Sequence, residues 1–237
     1  MNTLVMVGVR TLGRALALHF AARNWQVICA ARTRADVEAL AADVDASGGR
    51  GVPVVCDLGD RASLEALVRG VARIDLCIAA QTAGGRFGSK PLLEIEDEEL
   101  DRGYAAMMRG TWNLLKAVGP KLVDQQAGTF LQIGTSSGVR TRDGFAALGA
   151  IHHGVRALVQ VAAREWRAQG VHVAYLPIDG PIASERTADW IARQGPGRAI
   201  PQADIARACE YLHGQSRDAW THEMVLRPPA SDWTAPT

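Results

Sequence analysis

Three polar side chains of this chain have the chemistry to move a proton or to orient a substrate oxygen. His152 carries an imidazole, and its ordinary pKa of about 6.5 lets it give or take a proton near neutral pH. The alternative is that His152 makes only local hydrogen bonds on a helix. Thr135 and Asp179 each follow an apolar run, the first with a hydroxyl and the second with a carboxylate. Asp179 precedes Gly180, so it either acts as a base or caps a turn.

A second group of residues suits a ligand that carries phosphate. An apolar run and a helical-period segment are joined by Gly8, Arg10, Thr11, Leu12 and Gly13. A turn here would aim the backbone N–H groups of a helix start at a phosphate, where the helix dipole favours negative charge. Arg32 follows the next apolar run. Together with Arg10 it suits a 2′-phosphate through charge-assisted bonds, unless both arginines are merely solvated.

The elements that must position these residues alternate between strand and helix. Such alternation is typical of βαβ units and a parallel sheet covered on both faces. Seven strands are predicted, at Thr3–Val9, Gln26–Ala31, Val52–Cys56, Leu76–Ala80, Gly128–Ile133, His172–Pro177 and Glu223–Leu226. Six helices are predicted, at Leu12–Arg23, Arg34–Ala46, Arg61–Arg69, Glu96–Val118, Ala147–Gln169 and Gln202–His213. The predicted fold is a single α/β domain over residues 1–237, a Rossmann-like, doubly wound sheet of seven parallel strands with helices on both faces.

Two segments lie outside this alternation. Ser184–Pro201 is polar, contains Gly and Pro, and is predicted to be a mobile loop over a substrate pocket. Its Trp190 would cap a ligand or pack on the body of the protein. Residues 227–237 hold three of the ten prolines and are predicted to be an extended tail.

Composition narrows the classes of partner. The formal charge of +1 gives no electrostatic reason to expect nucleic acid or an anionic membrane as a partner. The four cysteines are scattered, which favours buried reduced thiols and no metal site. The start of the chain lacks the pattern of a signal peptide, and apolar runs stay short of the ~18 residues of a spanning helix. We therefore expect a cytoplasmic protein with small-molecule partners.

The segment DGFAALGAIHHGVRAL, residues 143–158, resembles the catalytic helix of the short-chain dehydrogenase/reductase family. The residues that keep the family's register are Gly144, Ala147, Ala150, Val155 and Leu158. Leu148 stands where the family has its catalytic tyrosine, and His152 stands where it has the lysine four residues later. No tyrosine elsewhere precedes a lysine by four or seven residues. The chain thus resembles a divergent member that lacks the Tyr-x-x-x-Lys pair.

The resemblance covers nearly the whole chain and assigns further roles. It places Thr135 at the position of the serine that orients the substrate oxygen, and Met107 at the position of an asparagine that holds a water relay. It implies catalytic roles for Thr135, His152 and Asp179. A substrate pocket is expected from Met107, Leu148, Gln81 and Trp190.

The same resemblance implies a nucleotide cofactor. Of the family's three turn glycines, only Gly13 is in register, while Val7 and Thr11 occupy the other two positions and Gly8 is displaced by one. Arg10 and Arg32 favour NADP(H) over NAD(H). Further cofactor contacts are expected from Asp57, Leu58, Ala79, Ala80 and Ile182, and the small residues Ala83, Gly84 and Gly85 follow the fourth strand.

We therefore expect an NADP(H)-binding oxidoreductase homologue with an altered active site, acting if at all on a hydrophobic carbonyl or conjugated small molecule. The two long helices resemble those that pair family members, so a homodimer or homotetramer is expected. Two alternatives stay open. One is a non-redox lyase, isomerase or cyclase that uses His152 or Asp179, since fold does not fix function. The other is a catalytically silent NADP-binding or partner subunit.

Overall fold

The computed structural model describes residues 1–82 and 89–231, and its strands form one sheet. The strands are β1 Thr3–Val7, β2 Gln26–Ala31, β3 Arg50–Val55, β4 Leu76–Ala79, β5 Thr129–Thr135 and β6 His172–Ile178. The helices are α1 Thr11–Ala21, α2 Arg34–Ala46, α3 Arg61–Arg69, α4 Asp97–Gly103, α5 Gly110–Gln125, α6 Ala146–Trp166, α7 Glu185–Gln194 and α8 Gln202–His213. A π-helix covers Tyr104–Arg109, and short 3-10 helices cover Leu92–Glu94, Ser136–Gly138 and Arg167–Gln169.

The sheet is wound in both directions from β1. Its order is β3-β2-β1-β4-β5-β6, and every neighbouring pair is parallel. The carboxyl ends of all six strands therefore meet at one edge. In an open sheet of this kind, a ligand crevice forms at that edge where the winding reverses, which is beside β1 and β4.

Each face of the sheet is covered by helices and holds its own core. One core packs α1, α2 and α8 on the sheet through residues such as Leu16, Phe20, Leu40, Ile205 and Leu212. The other packs α3, α5 and α6 through residues such as Leu64, Leu67, Leu114, Val118 and Val155. Every residue of β1 and β4 is buried, whereas β3 at the edge is partly exposed. The central strands read as continuous apolar runs because both of their faces are covered.

The predicted seventh strand is not confirmed, since the sheet that the described residues form has six strands. Residues 223–226 do run parallel to β6, but they pair with it only through isolated bridges at Tyr175 and Ile178. The amide of Tyr175 donates to the carbonyl of His222, and the amide of Asp179 donates to that of Leu226. Pro177, midway between them, has no N–H to donate, so the ladder is interrupted there.

Other predictions differ in their bounds. The predicted helix Glu96–Val118 is divided into α4, the π-helix and α5, and α5 continues through Pro120. The predicted loop Ser184–Pro201 contains α7, which begins with a capping box in which Ser184 and Thr187 each bond to the other's backbone. In the tail, residues 232–237 lie outside the described residues, as do Ala83, Gly84 and Gly85. No described helix is long and apolar enough to cross a membrane.

The turn after β1 depends on the absence of a side chain at Gly8. Its φ is +89°, and a Cβ placed there would lie 2.6 Å from the carbonyl oxygen of Ala80. A Cβ on Gly13 would lie still closer, at 1.6 Å, to the carbonyl oxygen of Gly8. The displaced Gly8 therefore makes the tight turn here, and it brings the backbone after β1 against the backbone after β4.

We predict that Gly8→Ala destabilises the protein far more than Gly48→Ala. Gly48 has nearly the same φ, +88°, but open space around its missing Cβ. Gly48→Ala should cost about 1 kcal/mol from backbone strain alone. Gly8→Ala should cost roughly 2 kcal/mol more, because Ala80 must move. Chemical denaturation measures both values, and equal losses would contradict the close approach described above.

Candidate functional site

The nucleotide end of the site is the turn from β1 into α1. Arg10 occupies the N-cap position of α1, and its side chain makes no capping hydrogen bond to the described residues. The first N–H groups of a helix lack partners within it, so an uncapped start can bind an anion. Thr11, at the position of a family glycine, has φ +29°. Its backbone thus keeps a conformation that favours glycine, at a cost of about 1–3 kcal/mol.

Arg10 and Arg32 leave the sheet from neighbouring strands. The amide of Gly8 donates to the carbonyl of Ala30 (3.2 Å), so the segments that carry the two arginines run side by side. Both side chains are exposed, and neither has a carboxylate partner among the described residues. The nearby Arg34 differs, since it pairs with Glu38 at 3.4 Å. The two unpaired guanidiniums therefore remain available to an anion.

The next residues predicted to contact a nucleotide have structural partners. One carboxylate oxygen of Asp57 accepts from the amide of Gly59 (2.8 Å) and so stabilises the turn after β3. The carbonyl of Leu58 accepts from the side-chain amide of Asn113 (2.8 Å). Asn113 was not singled out in the sequence, because a lone asparagine inside a helical pattern gives no signal. It fixes the segment after β3 against α5.

A buried chain of side-chain hydrogen bonds braces the ends of β4 and β5. Gln81 donates through Nε2 to the hydroxyl of Thr111 (2.9 Å), and that hydroxyl lies 3.2 Å from Oε1 of Gln132. Gln132 in turn donates to the carbonyls of Ala79 (3.2 Å) and Ile133 (2.9 Å). Oε1 of Gln81 is buried and has no hydrogen-bond partner in the described part of the chain. Sequence reasoning assigned Gln81 to the substrate pocket and missed the other two residues.

Ala79 is the last residue of β4, and the amide of Ala80 donates to the carbonyl of Val7 (2.9 Å). The backbone of these two alanines therefore lies beside β1, and Ala79 is fully buried. Ile182 lies beyond the end of β6 and is bridged to Ile200.

Thr135 ends β5 at the same edge of the sheet. Tyr175, a fully buried residue of β6, donates its hydroxyl to the carbonyl of Thr135 (3.5 Å). Burial raises the pKa of Tyr175 to about 12, so its hydroxyl stays protonated and serves as a donor. A Cβ on Gly138 would lie 2.4 Å from the hydroxyl of Tyr175, so Tyr175 packs directly against the turn after β5. Tyr175 is therefore a positioning residue for that turn.

His152 lies on α6 with its main chain against the same turn. A Cβ on Gly138 would be 3.0 Å from the His152 carbonyl oxygen. The side chain is 7% exposed, and its Nδ1 is buried without a hydrogen-bond partner among residues 1–82 and 89–231. Burial lowers the pKa of His152 to about 4, with a smaller contribution from His153. The imidazole is therefore neutral at pH 7, which suits a hydrogen-bonding or base role better than an acid role.

Asp179 follows β6 and is held by two guanidiniums. Nη2 of Arg140 contacts both carboxylate oxygens (3.1 and 2.9 Å), and Nε of Arg227 lies 2.5 Å from Oδ2. All three side chains are largely buried. Both carboxylate oxygens are thus engaged by the protein, and this favours a role in fixing the segments of Arg140 and Arg227 over a role as a base.

The remaining pocket residues differ in burial. Met107 is buried in the π-helix, Leu148 is half-buried near the start of α6, and Trp190 on α7 is 38% exposed. Two of the three are apolar at positions where the resemblance implies polar groups. Among residues 1–82 and 89–231, no three or more His, Cys, Asp or Glu side chains cluster as a metal site.

A parallel sheet doubly wound about β1, with a glycine turn before the next helix, is the architecture of dinucleotide-binding α/β proteins. The model of one such family, described as short chain dehydrogenase, matches residues 2–193. The chain belongs to this family.

Individual relatives are distant. D-threitol dehydrogenase of Mycolicibacterium smegmatis is 26% identical over 166 residues, which are 68% of this chain and 63% of that enzyme. A solved short-chain dehydrogenase from Rhodopseudomonas palustris superimposes with a TM-score of 0.81 at 25% identity, covering 96% of this chain and 98% of that one. A metagenomic short-chain oxidoreductase, solved in complex with NADP, has a TM-score of 0.79 at 24% identity and covers 97% and 98% of the two chains.

The buried imidazole predicts a pH dependence of stability. The pKa of His152 is about 4 in the folded protein, against 6.5 ordinarily. Unfolded chains therefore bind the proton first, and the stability present above pH 6.5 falls as the pH drops towards 4, by about 3 kcal/mol for this group.

His152→Gln should remove this part of the pH dependence, while His153→Gln, at the exposed neighbouring position, should keep it. The free energy of unfolding measured from pH 7 to pH 4 gives both slopes. Identical slopes for the two variants would refute the assignment.

Proposed function

We propose that this protein binds NADP(H) at the carboxyl edge of the sheet and transfers hydride between it and a hydrophobic carbonyl or conjugated small molecule. The observation that carries the proposal is the pair of exposed guanidiniums, Arg10 and Arg32, which lie beside the start of α1 and pair with no carboxylate in the described part of the chain. The solved relative that holds NADP has the same fold, and it supports the choice of cofactor.

The residues present fit the cofactor. Gly8 allows the backbone after β1 to lie close to that after β4, and the first N–H groups of α1 would receive the pyrophosphate. Arg10 and Arg32 would bind the 2′-phosphate. Ala79 and Ala80 present no large side chain to the crevice. The bound cofactor would supply the hydride, and the protein would supply orientation.

On the substrate side, Thr135 would donate its hydroxyl to the substrate oxygen. The hydroxyl of Tyr175 donates to the backbone carbonyl of Thr135, so the backbone that carries the Thr135 hydroxyl is held in place. Met107 and Leu148 would provide apolar contacts in place of the water relay and the phenol. His152 is neutral, so it would accept or share a hydrogen bond, and the proton for the substrate oxygen would come from solvent. The expected rate is low, because a positioned proton donor contributes about 10² to 10⁴-fold.

A catalytically silent NADP-binding or partner subunit is the second candidate. It is favoured by the apolar side chain of Leu148 at the tyrosine position and by the low pKa of His152. A non-redox reaction with Asp179 as base is supported less, since Arg140 and Arg227 hold that carboxylate. In any of these roles we propose a cytoplasmic homodimer or homotetramer.

The cofactor proposal predicts that Arg10→Gln with Arg32→Gln weakens NADPH binding by about tenfold or more and leaves NADH binding nearly unchanged. The reason is that only NADPH carries the 2′-phosphate, and bonds to charged groups contribute about 1.5–3 kcal/mol each. Titration with quenching of tryptophan fluorescence measures both affinities. Arg34→Gln is the matched control, because that arginine already pairs with Glu38. Equal weakening of NADPH and NADH would contradict the role of the two arginines.

The reaction proposal predicts that Thr135→Val lowers kcat/KM by roughly tenfold to a hundredfold, whereas Thr135→Ser stays close to the wild type. The valine loses a donor worth about 1–3 kcal/mol, and the serine keeps it. Oxidation of NADPH with a panel of hydrophobic ketones and unsaturated ketones provides the measurement, with NADPH affinity as the control. A wild-type protein that binds NADPH and turns over none of the panel would favour the silent subunit.

A further inference from the structure

A cavity of about 370 Å³ lies at the opposite end of β6 from the candidate site. It lies between the second half of α6 and the start of β6, and Ala163, Val171 and Val173 give it an apolar wall. His172, which also lines it, begins β6, whereas Asp179 follows the end of that strand. A seven-residue strand is about 20 Å long, so this cavity is separate from the crevice for the cofactor.

One wall of the cavity is flat and aromatic. The rings of His172 and Trp220 stack with their centroids 5.0 Å apart and their planes only 3° from parallel. Nε2 of His172 is fixed by the carbonyl of Thr221 (2.9 Å), so the ring is held in place. The stack fixes the ring of Trp220, which lines the cavity and provides an aromatic surface for a planar ligand.

One buried ring nitrogen beside this wall lacks a hydrogen-bond partner among the described residues. It is Nε2 of His222, whose Nδ1 faces the carbonyl of Val173 at 3.2 Å, whereas the ring of His172 bonds to the backbone of Thr221 and Leu212. Buried polar atoms without partners are uncommon in folded proteins, and they indicate a place that a water or ligand completes. Both histidines line the cavity.

The mouth of the cavity is positively charged. Arg164 near the end of α6 and Arg167 at the start of the following 3-10 helix line it, and both are exposed. In the part of the chain that the structure describes, neither pairs with a carboxylate, although Arg156 on α6 pairs with Glu223 at 2.8 Å. Glu165 stands between the two in sequence, but neighbours one apart point to different sides of a helix. Guanidinium groups placed in this way suit a planar carboxylate.

We propose that this cavity is a second ligand site, specific for small aromatic carboxylates. The ring of the ligand would lie along Trp220 and the apolar wall, and its carboxylate would meet Arg164 and Arg167 at the mouth. A volume of this size is in the range of small-molecule pockets, at about 300–1,000 Å³. The proposal uses none of the residues assigned to the cofactor or the reaction.

The test is calorimetric titration of the whole protein with 2-naphthoate, with its neutral amide, 2-naphthamide, and with inorganic phosphate. We expect one molecule of 2-naphthoate to bind per chain, with an affinity about tenfold higher than that of the amide, or more. Arg164→Gln with Arg167→Gln should weaken 2-naphthoate roughly tenfold and leave the amide unchanged. The control pair, Arg50→Gln with Arg69→Gln, removes two exposed arginines elsewhere and should change neither.

A second variant, Trp220→Leu, should weaken the naphthoate and the amide together, and it keeps the test open if the arginine variant folds poorly. Absence of naphthoate binding, or binding that the arginine and tryptophan variants leave intact, would overturn the proposal. Phosphate binding as tight as that of naphthoate would also overturn it, because the aromatic wall would then contribute nothing. A change of sedimentation in these variants without naphthoate binding would instead assign the surface to contacts between copies.

Discussion

Parallel pairing of β1 with both β2 and β4 is the constraint on which the rest of the structure depends. It brings the carboxyl ends of the strands to one edge, and it opens the crevice where the winding reverses. The pairing also sets how close the two backbones at that edge must come. Gly8 meets this requirement with a positive φ and no side chain, and the candidate site is assembled around the turn it makes.

Polar side chains at this edge mainly hold the strands and helices around the site together. Gln81, Thr111 and Gln132 link β4, α5 and β5 through buried side chains, while Asp179 joins two segments through ion pairs. Removing one member of a buried pair is costly, about 3–5 kcal/mol, so such groups resist change once in place. The positions expected to touch the substrate are less polar by comparison. This contrast supports the proposal that the chain keeps the fold of its family with a different set of reacting groups.

Much of the fold could be predicted from the sequence, because a doubly covered parallel sheet imposes long apolar runs. The bounds of β2 were predicted correctly for that reason, and those of α2, α3 and α8 because their sequences have helical periodicity. The seventh strand was predicted from the pattern of residues 223–226 alone. That pattern does not show that Pro177, on the neighbouring strand, lacks the N–H group that continuous pairing needs. The helix α7 was missed because its polar sequence, flanked by glycine and proline, resembles a loop; only the Ser184–Thr187 spacing indicated its start.

The candidate site was less predictable than the fold. Register alone located Thr135, His152 and Asp179, and the structure brings their segments to one edge. It could not reveal that His152 is buried without a partner for Nδ1, nor that Arg140 and Arg227 converge on Asp179. These properties depend on contacts between residues far apart in sequence. The same applies to Tyr175, which belongs to an ordinary buried strand until its hydroxyl is seen to reach the carbonyl of Thr135.

The ion pair between Asp179 and Arg227 has a consequence for synthesis on the ribosome. Asp179 is made well before Arg227, and at about 5–20 residues per second the delay is a matter of seconds. During that interval the nascent chain has β6 without the segment that bonds along it, and the carboxylate has only Arg140 as a partner among the contacts described above. The contacts along β6 therefore form only after the six strands of the sheet have been synthesised, and until then the outer side of β6 lacks the backbone partner described above.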